Sequence, residues 1–226
     1  MSPQQPLSWS VVIPIKPLTQ AKSRLAGLAG RRRGELALAM AADTVTALAS
    51  CPAVAGVIVV TDDATAGAVL SGLGAVIIPD TPAGGLNPAL VFGAAHSARH
   101  WPGRGRAALA ADLPALRPAE IGAALAAASA WPQAFVADAA GSGTTLYTAG
   151  PTAPFSPRFG PGSRDRHAAA GAVQLGLPGI SGLRQDVDTA ADLRRAAGLG
   201  LGPRTAAVAA GLLGAHLRSG AGPLED

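Results

Sequence analysis

Short apolar runs rich in β-branched residues alternate along the chain with longer stretches of helical periodicity, and this alternation constrains the fold more than any other feature. Ser10 to Ile15 (SVVIPI) and Val54 to Val60 (VAGVIVV) are continuous apolar runs, as expected for strands buried on both faces. Ala75 to Ile78, Ala107 to Ala111, Ala134 to Ala137 and Thr145 to Thr148 are weaker strand candidates. Helices are predicted at about Gly34 to Ser50, Thr65 to Gly72, Pro88 to His100 and Pro118 to Ala130, and later at His167 to Leu175, Ala190 to Ala197 and Thr205 to Leu217. Repeated β-α-β order implies an α/β fold with a mainly parallel sheet covered by helices. Ligands of such open sheets bind beyond the carboxyl ends of the strands, so the residues just after each strand are where chemistry is sought.

The 226 residues, 49% apolar and 14% charged, suffice for one sizeable core. We expect one domain over residues 1–218 and a disordered tail over 219–226. The single cysteine, Cys51, excludes an intrachain disulfide and any multi-cysteine metal site. The longest apolar stretches are interrupted by Asp43, Gly or Pro short of a membrane span, and Met1 to Ser10 carries no basic residue. Neither a membrane span nor a secretory signal is expected, which points to a cytoplasmic protein.

Of the 18 basic residues only two are lysines, and Lys16 and Lys22 fall in one short segment; Asn87 is the sole asparagine. The arginines are scattered apart from Arg31 to Arg33, without interleaved aromatics, so no nucleic-acid face is expected. The formal charge of +4 suits a small anionic ligand better.

After the first strand, Lys16, Lys22 and Arg24 place three cations within nine residues, enough to neutralise a polyphosphate. The alternative is a solvated basic loop, and the Walker pattern is absent. After the fourth strand comes Ala110-Ala111-Asp112-Leu113-Pro114, whose carboxylate can hold Mg2+ against a substrate phosphate or simply cap a turn. Asp186 and Asp188, at i and i+2 in QDVDT, point the same way if the backbone is extended. With Asp112 they supply three hard oxygen ligands; the alternative is that Asp188 caps the helix starting near Ala190 and Asp186 is solvated.

Three loops carry weaker signals. Gly84-Gly85-Leu86-Asn87-Pro88 opens a helix, so its backbone NH groups and the Asn87 amide can bond a base or phosphate, or Asn87 can cap the helix. Gly141 to Thr145 (GSGTT) is a hydroxyl-rich turn or a plain hairpin. Arg158 to His167 (RFGPGSRDRH) is an anion cradle or a surface loop in which Ser163 or Asp165 caps the next helix. His96 and His100 share a helix face without a third ligand nearby, so the histidines, with His167 and His216, read as surface residues. Cys51 lacks the charge partner of a nucleophile.

Together VVIPIKPLTQAKSRL, GLNPAL, ADLPAL, FVAD with GSGTT, RFGPGSRDRH and QDVDTAADL, in this order and spacing, resemble the guanylyltransferases of deazaflavin coenzyme biosynthesis, in particular their actinobacterial branch. The resemblance covers nearly the whole chain. It implies a Rossmann-like, nucleotide-diphospho-sugar-transferase-like fold with a mixed sheet and a metal-dependent site at the strand ends. It also implies that Asp112, Asp186 and Asp188 bind metal, that Thr144, Gly160 and Ser163 contact phosphoenolpyruvate, and that Lys16, Lys22 and Arg24 face phosphates. Lys22, Arg24 and Asp112 are then the catalytic candidates, with Lys22, Gly85 and Asn87 on the nucleotide. The sequence departs from the family in Ala111, usually glycine, and in Thr145, which leaves two adjacent hydroxyls to choose between.

The reaction implied is transfer of GMP from GTP to phosphoenolpyruvate, with two Mg2+ ions offsetting the charge of attacker, α-phosphate and pyrophosphate. A downstream coenzyme-forming transferase is the expected partner. Alternatives are 2-phospho-L-lactate as the acceptor, another metal-dependent nucleotidyltransferase or sugar transferase on the same fold, and a non-catalytic nucleotide-binding protein.

Overall fold

The two strongest apolar runs pair side by side at the heart of one sheet. The computed structural model describes residues 7–22, 25–81 and 83–218; Arg24 and the expected tail over 219–226 lie outside the described residues. Strands β1 (Trp9–Pro14) and β2 (Val54–Val60) run parallel, with Val11 opposite Val57 and Val12 opposite Ile58. They are joined by β3 (Val76–Ile78), β4 (Gly105–Leu109), β5 (Gln133–Ala137), β6 (Thr144–Ala149) and β7 (Val173–Gln174) in the order β3-β2-β1-β4-β6-β5-β7. β6 is antiparallel to β4 and β5, and the other neighbouring pairs are parallel.

Because successive side chains of a strand point to opposite faces, each run feeds two core layers. The helices are α1 (Ala26–Ala29), α2 (Arg33–Ala49), α3 (Ala64–Ser71), α4 (Leu86–His100), α5 (Pro118–Ala128), α6 (Ser163–Ala169), α7 (Ser181–Arg184), α8 (Ala190–Leu199) and α9 (Pro203–Arg218). Val11, Ile13, Val57 and Val59 pack with Val45 and Leu48 of α2 and Ile121 and Leu125 of α5. Val12, Ile58 and Val60 pack on the other face with Ala89, Leu90 and Ala94 of α4. A third cluster joins Leu36 and Met40 of α2 to Val187 and to Leu193 of α8. Asp43, buried on α2, accepts from the backbone N–H of Thr205 at 2.8 Å and so caps α9 from outside that helix. Among the described residues no helix is long and apolar enough to cross a membrane.

The expected helix from His167 to Leu175 is corrected. α6 begins earlier, at Ser163, after Gly162 adopts a left-handed φ of +67°, and it ends at Ala169. Gly171, at φ +88°, terminates it, and Val173–Gln174 turns away to pair with the edge of β5. Two residues are too few to carry a period, so β7 left no signal in the sequence.

Gly93 sets how closely α4 approaches the sheet. A Cβ there would sit 3.0 Å from Val60 Cγ2 and nearer still to Val12. We predict that Gly93→Leu costs about 1–3 kcal/mol by overpacking, read as a lower chemical-denaturation midpoint; an unchanged midpoint would contradict this packing.

Candidate active site

Beyond Pro14 the chain leaves the sheet through Ile15 and the exposed Lys16. The backbone N–H of Leu18 donates to Asp63 at 2.8 Å, which ties this loop to the end of β2. Asp63 also accepts from Ala66 as the N-cap of α3, and these bonds hold its carboxyl below the usual range. Lys22 adopts a left-handed φ of +53°, a strained conformation for a residue with a side chain. The strain aims its ammonium between two carboxylates, Asp112 and Asp188, the latter at 2.8 Å. Burial disfavours the charged ammonium, but attraction to Asp112 and Asp188 outweighs it and raises the Lys22 pKa.

Asp112 sits in a turn braced from α2. Thr44, fully buried, donates to the Met40 carbonyl at 2.9 Å and accepts from the Leu113 N–H at 3.2 Å. The Val187 N–H donates to the Asp112 carbonyl at 3.1 Å, bringing the QDVDT segment alongside. With Val187 buried in the third cluster, the flanking aspartates turn the other way. Asp188 does not cap α8, because Thr189 does so in a reciprocal box with Asp192. Nor is Asp186 solvated: burial, then the like charges of Asp112, Asp188 and Asp138, push its pKa up to about 7.

Asp138, largely buried at the end of β5, closes the next loop. Its carboxylate accepts from the Ser142 N–H at 2.9 Å, and Gly143 lies so close that a Cβ would overlap that carboxylate. Thr144 follows at the start of β6, its Oγ1 3.0 Å from His167 Nδ1. Thr145, the extra residue where the β5–β6 register shifts, is fully buried. The Ser142 carbonyl accepts from the Arg164 N–H at 3.2 Å, which sets this turn against the start of α6, where Ser163 is buried. Gly160, at φ +121°, makes the bend that a side chain would resist.

The segment leading into that bend has no ladder, so its backbone donors are taken by side chains. Ser156 N–H donates to the Tyr147 hydroxyl at 3.3 Å, Arg158 N–H to His167 Nε2 at 2.9 Å, and Phe159 N–H to Asn87 Oδ1 at 2.8 Å. Asn87 Nδ2 returns a bond to the Phe159 carbonyl at 3.0 Å. One donor and one acceptor position of this amide are therefore committed to the loop. Gly84 and Gly85 are exposed beside it, Gly85 at φ +93°.

A sequence model described as guanylyl transferase CofC like matches residues 9–174. The chain belongs to this family. Phosphoenolpyruvate guanylyltransferase of Thermomonospora curvata is 61% identical over 204 residues, covering 90% of each chain. The protein of that name in Streptomyces coelicolor is 57% identical over 209 residues, covering 92% of this chain and 98% of its own. Among solved structures, a nucleotide-diphospho-sugar-transferase-like protein of Desulfovibrio desulfuricans G20 superposes with a TM-score of 0.66 at 15% identity, over 93% of this chain and 95% of its own. A nucleotidyl transferase of Methanothermobacter thermautotrophicus gives 0.55 at 18% identity, over 85% and 97%. These place the chain in the nucleotidyltransferase-like α/β fold.

In this CofC-like chain the structure gathers Lys22, Asp112, Asp186 and Asp188 at one point and Thr144, Gly160 and Ser163 at a second, with Asp138 between them. Among the described residues no three carboxylate, imidazole or thiol side chains stand in coordinating geometry. The ammonium of Lys22 occupies the space that would draw Asp112 and Asp188 together. The residues nonetheless fit a divalent cation: the donors are hard oxygens, two of them already hold a positive group, and Asp186 is short of counter-charge. Asp138, Thr44 and His167 join these residues only in the folded chain. Asp138 ends a strand as Asp112 does, which was signal enough; Thr44 lies inside a helix and gave none. His167 is a correction, since it is fully buried rather than on the surface.

Unfolding returns Asp186 to an ordinary carboxylate pKa near 4, so between about pH 4 and about 7 the folded chain keeps a proton that the unfolded chain has lost. Stability from this group therefore falls as pH rises through that window and levels off above it. Asp186→Asn should stabilise the protein, kept in chelator, more at pH 8 than at pH 5 relative to wild type. Equal differences in denaturation midpoint at the two pH values would contradict the assignment.

Proposed function

We propose that this chain transfers the GMP group of GTP to phosphoenolpyruvate, forming enolpyruvoyl-2-diphospho-5'-guanosine and pyrophosphate in the assembly of the deazaflavin redox coenzyme. The observation that carries this reading is the near full-length identity of 61% and 57% to proteins named phosphoenolpyruvate guanylyltransferase. The geometry supports it: a cationic and carboxylate array at the strand ends abuts a separate cradle of hydroxyl and glycine.

The acceptor phosphate is an anion at neutral pH and needs no general base. One of its oxygens forms a bond to the α-phosphorus of GTP while the bond from that phosphorus to the bridging oxygen breaks, and the electron pair leaves with pyrophosphate. Asp112, Asp186 and Asp188 would hold Mg2+, which supplies charge neutralisation for the reacting phosphates. Lys22, released from Asp112 and Asp188, turns its ammonium to the triphosphate, and Lys16 faces the same phosphates from the loop mouth. Thr144, Gly160 and Ser163 hold the acceptor in line, and the exposed backbone at Gly85 borders the nucleotide. The product passes to a coenzyme-forming transferase, where its pyrophosphate linkage is the activated group.

Purified protein with GTP and Mg2+ should release pyrophosphate with phosphoenolpyruvate, and much less with 2-phospho-L-lactate or no acceptor. Asp112→Asn and Asp188→Asn should each reduce the rate by about a hundredfold or more. Near wild-type rates in either variant at saturating Mg2+ would refute the metal assignment. Lys22→Ala should raise the KM for GTP about tenfold, a lost charged hydrogen bond, with a smaller change for phosphoenolpyruvate; an unchanged GTP KM would restore the solvated-loop alternative.

A further inference from the structure

His167 is buried in a box of aromatic rings. It stacks on Tyr147 at 4.9 Å and on Phe135 at 5.5 Å, and meets Phe159 edge-on at 5.5 Å between ring centres. Packing does not require an imidazole there, because an apolar ring fills such a box without burying two ring nitrogens. Both nitrogens are used, and their roles are not interchangeable.

Nε2 faces the backbone N–H of Arg158 at 2.9 Å. A backbone N–H only donates, so Nε2 carries no proton. Burial, with the charges of Arg166 and Arg158 and against the backbone bond to Ser163, pulls the ring pKa down to about 4, so the ring is neutral at pH 7. Its one proton is then on Nδ1, 3.0 Å from Thr144 Oγ1. The Thr144 oxygen accepts that proton, and its own hydroxyl hydrogen is turned elsewhere. A hydroxyl facing an unprotonated nitrogen would have spent its hydrogen on the ring.

We infer that His167 is a positioning residue for the acceptor: one tautomer fixes the Thr144 hydroxyl as a donor to the acceptor's anionic oxygens and clamps the Arg158-to-Ser163 loop beside it. This rests on the reading that the acceptor lies against Thr144, Gly160 and Ser163. The same ring spans the turn before β6, the loop and α6, so one side chain sets the spacing of all three pieces.

The test compares KM for phosphoenolpyruvate and for GTP in wild type, His167→Phe, Thr144→Val and the double variant, each shown to be folded by thermal melting. His167→Phe fills the ring box without nitrogens and should raise the phosphoenolpyruvate KM about tenfold, the worth of one well-placed hydrogen bond, leaving the GTP KM unchanged. On top of Thr144→Val it should cost clearly less than it does alone, because the share that runs through the Thr144 hydroxyl is already gone and only the loop clamp at Arg158 is left to lose. Fully additive effects, an unchanged acceptor KM, or equal rises in both KM values would overturn the inference. If His167→Phe does not fold, nitrogen-15 NMR of the wild-type imidazole decides: a protonated Nδ1 with a bare Nε2 is required, and the opposite tautomer overturns it. A wild-type enzyme inactive on phosphoenolpyruvate overturns the proposed activity itself, before any variant is compared.

Discussion

Mutual repulsion among Asp112, Asp138, Asp186 and Asp188 is the constraint around which the site is built. Four carboxylates meet at the ends of β4 and β5 and in the segment before α8, and the field they create shows in Asp186, whose pKa burial and its three neighbours raise to about 7. In the metal-free chain the strain is relieved in two ways. Lys22 accepts an unfavourable backbone conformation to place its ammonium on two of the four, and the Asp186 carboxyl holds its proton up to about pH 7. Both devices are reversible, as a site needs if a divalent cation is to displace them.

What keeps such charges together is ordinary apolar and backbone structure. Val187 is fully buried and its N–H is spent on the Asp112 carbonyl, so the backbone carrying the two aspartates is fixed beside Asp112, with Asp186 half-buried and Asp188 exposed. Thr44 braces the Asp112 turn from the far side. The neighbouring loop uses a different device: the segment Ser156 to Phe159, which has no strand partner, has three of its N–H groups taken by Tyr147, His167 and Asn87. A loop pinned by side chains keeps its backbone open to a ligand on one side while staying rigid, which a ladder would prevent.

The central sheet was legible because continuous β-branched runs leave few alternatives: Val54–Val60 has the expected bounds, and β1 lies one residue earlier than read. The helices with clear periodicity were equally plain. Failures concentrate around His167, where a helix called through Gly171 gave way to a short helix, a left-handed glycine and an edge strand of two residues. Single-sequence patterning has no purchase on pieces that short. The residues that the fold brings together were legible where charge is rare, as with Lys22 and the QDVDT pair, and not where the placement depends on tertiary neighbours. Asn87 stood out by its rarity, but what its amide bonds is 72 positions away in sequence, and His167 looked like any polar residue of a surface helix until burial placed it among aromatic rings.

The most direct test of this account is a crystal structure with Mn2+ and a non-hydrolysable GTP analogue, with the metal located by its anomalous signal. The account predicts manganese bound by Asp112, Asp186 and Asp188, and the Lys22 ammonium moved from the carboxylates to the triphosphate. Manganese bound elsewhere, with Lys22 still seated between Asp112 and Asp188, would contradict it.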